Sequence, residues 1–145
     1  MANHSIHRFA RAAFAVIASS AVACGTTGAA DDGPLVQVAQ ATSAGGTYDV
    51  ALLAHSPTLT RGNYTLQYVV TRAADGSPVD DLDLAIVPWM PAMGHGTSIT
   101  PSVTGLGSGA YELDDIDLYM AGVWQLRTTP DGDSSDLVEP SLQVQ

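Results

Sequence analysis

Asn63-Tyr64-Thr65-Leu66-Gln67-Tyr68-Val69-Val70-Thr71-Arg72 alternates in character along its length. Tyr64, Leu66, Tyr68 and Val70 fall on one face, and Thr65, Gln67 and Thr71 on the other. A period of two is the mark of a strand with one buried face. The same pattern recurs on both sides. Upstream, Tyr48 to Leu53 predicts a core strand. Downstream, Ala74-Asp75-Gly76-Ser77-Pro78 predicts a turn. Leu82, Leu84 and Ile86 then alternate with Asp83 and Ala85, with Pro88 expected to end that strand. Ser98 to Val103 and Gly109 to Ile116 are further candidates, the latter with Tyr111 and Leu113 on one face. From Gly122 to Thr128, Val123, Gln125 and Arg127 alternate with Trp124, Leu126 and Thr128. Pro130-Asp131-Gly132-Asp133 predicts a turn, and Leu137 to Val144 a last strand.

About seven short strands at this spacing predict an all-β chain, an immunoglobulin-like antiparallel β-sandwich. Trp124 is the expected core anchor. The sandwich is placed at residues 47–145. Residues 24–46, rich in Ala, Gly, Thr and Asp, are read as a tether with little to bury. Within it, Leu35 to Val38 is a candidate short strand.

The N-terminus carries an export pattern over residues 1–23. Arg8 and Arg11 flank an apolar run of 11 residues, Ala12 to Val22. A bilayer-spanning helix needs about 20, so the run suits a signal peptide. It ends in Ala21-Val22-Ala23-Cys24, which resembles a bacterial lipobox, although Ala21 stands where Leu is commoner. Cys24 is thus the expected lipidation site and membrane anchor. It is the one cysteine of the chain, so it makes no internal disulfide. The expected location is the cell envelope, on the extracytoplasmic side of a bacterial membrane or at the cell surface.

After Cys24 the cations are Arg61, Arg72 and Arg127, and three cations against fifteen acids leave a formal charge of −12. Nucleic acid is excluded as a partner, because phosphate binding needs Lys and Arg. No nucleophile motif, phosphate loop or dinucleotide fingerprint is present. No enzymatic activity is expected. The acidic groups Asp80-Asp81-Leu82-Asp83, Asp114-Asp115 and Asp131-Gly132-Asp133 do not follow the EF-hand pattern and read as solvated turns.

Chemistry concentrates in Trp89-Met90-Pro91-Ala92-Met93-Gly94-His95-Gly96, read as a loop between strands. Two thioethers and an imidazole fall within six residues. Soft and borderline donors of this kind suit Cu(I) over hard cations such as Ca²⁺ or Mg²⁺. Met93 and His95 are the leading candidate ligands, with Met90 and Met120 as further ones and Trp89 as a candidate wall. His55 is a weaker candidate. Each has a plainer role available, since Met commonly fills core gaps. The alternative is a non-metal module that binds a partner protein of the envelope.

The run Met90 to Gly96, then Gly109-Ala110-Tyr111, then Met120-Ala121-Gly122-Val123-Trp124-Gln125-Leu126, resembles the YtkA-like domain, related to FixH-like proteins. Asp75-Gly76-Ser77-Pro78-Val79 fits the same pattern, and the resemblance spans roughly Tyr48 to Thr128. It implies an extracytoplasmic, sandwich-like, non-enzymatic protein. FixH-like members are linked to cation-pump and haem–copper oxidase assembly. A lipoprotein signal in place of their membrane-spanning N-terminal helix is a departure, and it weakens the expectation of an oxidase-assembly partner.

Overall fold

A computed structural model describes residues 33–145. The expected signal peptide, Cys24 with the lipidation expected there, and the first part of the segment read as tether lie outside the described residues. Nine strands follow in chain order: β1 (Val36–Thr42), β2 (Tyr48–Ala54), β3 (Gly62–Arg72), β4 (Leu84–Met90), β5 (His95–Gly96), β6 (Ser102–Gly107), β7 (Ala110–Leu118), β8 (Gly122–Pro130) and β9 (Ser141–Val144). A single 3-10 turn, Ser134–Asp136, stands between β8 and β9.

The strands form two antiparallel sheets, ordered β1-β2-β3-β7-β6 and β5-β4-β8-β9. Apart from β1, this is the immunoglobulin order, in which the first, second, fifth and fourth strands face the third, sixth and seventh. The added β5 extends the second sheet. The burial pattern explains the arrangement. In β3, Leu66, Tyr68 and Val70 are buried, and in β8, Trp124, Leu126 and Thr128 are. These inward faces meet between the sheets, with Trp124 fully enclosed. Covering each large apolar side chain stabilises the fold by roughly 1.5–3 kcal/mol. Two tyrosines carry their hydroxyls into this core with partners supplied. Tyr68 Oη lies 3.0 Å from Thr128 Oγ1. Tyr111 donates to the Val79 carbonyl at 2.8 Å and accepts from the Leu82 amide at 3.1 Å.

Four details differ from the sequence expectations. The domain begins at β1, inside the segment read as tether, because Val36 to Thr42 pairs with β2. A bulge between Gln37 and Ala39 breaks its alternation, and Ala and Gln give it weak apolar contrast. Next, β4 does not stop at Pro88 but runs through it to Met90. Pro88 pairs with Leu126, and the Leu126 amide donates away from it, to the Pro140 carbonyl. Such a pair exchanges no main-chain bonds, so the Pro88 nitrogen faces the other side of β4, where β5 reaches only Trp89 and Met90. The missing donor is needed by no ladder. Third, Asp114-Asp115 is not a turn. The β3–β7 register shifts there, with Asp115 at φ 60°, which makes the pair a bulge within β7. Asp114 accepts from Thr65 Oγ1 at 2.8 Å. Last, two strands start later than expected. β6 starts at Ser102, not Ser98, and β9 at Ser141, while Val138 makes only an isolated bridge with Thr128.

Candidate functional site

The Met/His segment is a tight hairpin, not an open loop. Met90 ends β4 and His95 opens β5, and the two are direct cross-strand partners. The Met90 carbonyl accepts from the amides of Met93 (3.1 Å) and Gly94 (3.0 Å). Gly94 sits at φ 67°, a conformation open to glycine at little cost. Gly96 permits the close return of the chain, because a β-carbon there would stand 2.5 Å from the Pro88 carbonyl oxygen.

Directly opposed residues project to the same face of a sheet. Met90 and His95 therefore share the inner face at one end of the sandwich. Met90 is 4% exposed and belongs to the core. His95, on the edge strand, is half-buried. The β7–β8 bend closes over the same end. Gly122, which opens β8, lies against the Met90 methyl group. Tyr119, just after β7, reaches His95: its hydroxyl is 2.9 Å from Nδ1 and 3.3 Å from the Gly96 carbonyl oxygen. The two rings are stacked at 6.1 Å between centroids and 14° between planes. The Tyr119 ring also meets Trp124 edge-on at 5.4 Å. Trp124 in turn donates from Nε1 to the Met120 carbonyl at 2.8 Å. An aromatic series thus runs from the half-exposed imidazole to the centre of the core.

The candidate ligands separate on this frame. Met90, His95 and the bend carrying Met120 come together. Met120 is half-buried and packs against the core. Met93 occupies the hairpin turn and is 54% exposed. Trp89 does not wall this end. Its neighbours in β4, Pro88 and Met90, are buried, so it projects to the outer face, where the Arg127 guanidinium lies 4.6 Å from its ring centroid. Arg127 is in turn paired with Glu139 at 2.9 Å. His55 is elsewhere in the fold, with Nδ1 bonded to the Gly33 carbonyl. Among the described residues no three of His, Cys, Asp and Glu gather as metal ligands. A metal held at the hairpin end would therefore take thioether sulfur beside His95. Tyr119 was not legible as a site residue from the sequence. Its 24-residue separation from His95 follows no motif, and only the pairing of β4 with β5 and β8 brings the two together.

The YtkA-like family model matches residues 39–129, more than half of the chain. Comparison with curated proteins and with solved structures gives no match. The chain belongs to the YtkA-like family.

Proposed function

We propose that this YtkA-like domain is an extracytoplasmic, non-enzymatic module that binds or passes on a soft metal ion, Cu(I), at the β4–β5 hairpin. The observation that carries the reading is the pairing of Met90 with His95 under the Tyr119–Gly122 bend. It sets the imidazole beside the buried Met90, at the end of the sandwich that also carries the turn of Met93 and the bend of Met120. His95 supplies nitrogen. Met93 and Met120, both in part open to solvent, supply sulfur. Met90 forms the apolar floor. Thioether and imidazole donors favour a soft monovalent ion. The acidity of the chain attracts cations to the domain in general.

Titration with Cu(I) tests this, using the full chain in a Cys24→Ser background so that the lone thiol does not compete. A Met93→Ala/His95→Ala double variant is expected to bind at least tenfold more weakly. Equal affinity rejects these ligands.

In the same reading the domain is held to the membrane by acylated Cys24. Replacing Cys24 by Ala is expected to release the protein from the membrane fraction and to remove the acyl mass. Retention with the mass unchanged rejects the anchor.

The outer face of the β5-β4-β8-β9 sheet favours a second reading, docking of an envelope protein. Val87 and Val123 are about half exposed there, beside Trp89. Capture of a partner that survives both a Cu(I) chelator and the double variant favours docking without metal.

A further inference from the structure

We infer that Tyr119 sets the tautomer of His95, holding the ring proton on Nδ1 and presenting Nε2 as a bare electron-pair donor. The phenol has one proton and two neighbours, His95 Nδ1 at 2.9 Å and the Gly96 carbonyl oxygen at 3.3 Å. A carbonyl oxygen only accepts. If Tyr119 gave its proton to Nδ1, its oxygen would face the Gly96 oxygen with no hydrogen between them. With the proton on Nδ1, the ring donates to the phenol oxygen and the phenol donates to Gly96. Both contacts are then hydrogen bonds. Nδ1 also lies 3.4 Å from that same carbonyl, a second acceptor beside it.

Tyr119 leans on the core on one side while 41% of it stays exposed. Tyr119 is stacked on His95 and braced edge-on by Trp124, which is itself fully enclosed. Nε2 has no hydrogen-bond partner among the described residues. An imidazole whose second nitrogen donates to an oxygen is the arrangement that orients histidine toward a metal and raises its basicity. The tautomer stands on the hydrogen bonds alone. That Nε2 receives a soft metal ion rests on the reading given above.

The test is long-range proton–nitrogen NMR of the ¹⁵N-labelled full chain, free of metal and in mildly alkaline buffer. His95 is expected to show a protonated Nδ1 and an unprotonated Nε2. An unconstrained histidine favours the reverse. In Tyr119→Phe the signals should move toward that ordinary form. His55 serves as a fixed reference, since its Nδ1 faces the Gly33 carbonyl. The Trp124 indole resonance reports that the variant remains folded. A protonated Nε2 in the unaltered protein, or an unchanged tautomer in Tyr119→Phe, overturns the assignment. Cu(I) titration of Tyr119→Phe should show about tenfold weaker binding. If the tautomer behaves as expected while His95→Ala binds Cu(I) unchanged, the assignment of Tyr119 stands and the metal reading fails.

Discussion

Gly122 leaves the space that the Met90 methyl group occupies: a β-carbon at position 122 would stand 2.5 Å from Met90 Cε. The backbone there is at φ 131°, which side chains other than glycine's rarely adopt. Gly122→Ala is expected to destabilise the fold by about 1–3 kcal/mol, through overpacking and strain. Met90→Ala alone should cost about 2–5 kcal/mol. Because the two positions touch, the double variant should cost less than the sum by at least about 0.5 kcal/mol. Denaturant unfolding of the four proteins checks this, and strict additivity would show that the contact carries no energy.

Two other glycines at positive φ should behave differently from each other. A β-carbon at Gly109 would collide with the Val70 carbonyl oxygen and crowd Pro78, while one at Gly132 meets nothing within 4 Å. The Gly109 amide also donates to Asp80 Oδ1 at 2.6 Å. Gly132→Ala carries only the conformational cost, about 1 kcal/mol. Gly109→Ala must also move backbone, and should cost about 3 kcal/mol or more. Comparable melting temperatures for the two variants would refute the distinction.

Burial pushes the Tyr68 hydroxyl far above its ordinary pKa of 10.0, against a smaller opposing effect of the Thr128 hydrogen bond. The folded state therefore holds this proton when the unfolded chain has released it. The stabilisation linked to Tyr68 is complete below about pH 10 and falls as pH rises through the interval above it. The slope approaches about 1.4 kcal/mol per pH unit for one proton. Urea unfolding as a function of pH should show this alkaline loss, and Tyr68→Phe should reduce the slope. Thr128 Oγ1 would keep its bond to the Leu126 carbonyl, so the cost of that variant at neutral pH should be about 0.5–1.5 kcal/mol.

Ser43 ties the β1–β2 turn to the 3-10 turn. Its buried hydroxyl accepts from the amides of Thr47 (3.1 Å) and Tyr48 (3.0 Å) and donates to Asp136 at 2.9 Å. Ser43→Ala leaves two amides short of a partner in a part-buried place, at a cost of about 1–3 kcal/mol. Asp136→Asn keeps an acceptor and should cost less. Hydrogen exchange at Thr47 and Tyr48 separates the two, with faster exchange expected in Ser43→Ala alone.

Strands β2, β3 and β8 were legible because each buries one face and exposes the other, which writes a period of two into the residues. Strand β1 was legible only as the short run Leu35 to Val38, since its bulge and its Ala and Gln residues erase that contrast further along. Strand β6 lies on an edge and is exposed along most of its length, so little in Ser102 to Gly107 is constrained to be apolar. The Asp114-Asp115 bulge looked like a turn because Asp suits both, tolerating the positive φ that Asp115 adopts. At the candidate site, Met90 and His95 were legible by composition. Their pairing across a hairpin was not, and the outward face of Trp89, a candidate wall, was hidden because a segment read as a loop has no alternation to follow. The partnership of His95 with Tyr119 depends on register between distant strands, and no local pattern records that.

Pro88 faces its nitrogen toward the side of β4 that β5 leaves uncovered. Any strand from another molecule that aligned there would meet a position with no hydrogen to give. Templated stacking of copies along this border is thereby interrupted where the border meets β5. The residue that looked like the end of a strand acts instead as a stop on growth of the sheet beyond the molecule.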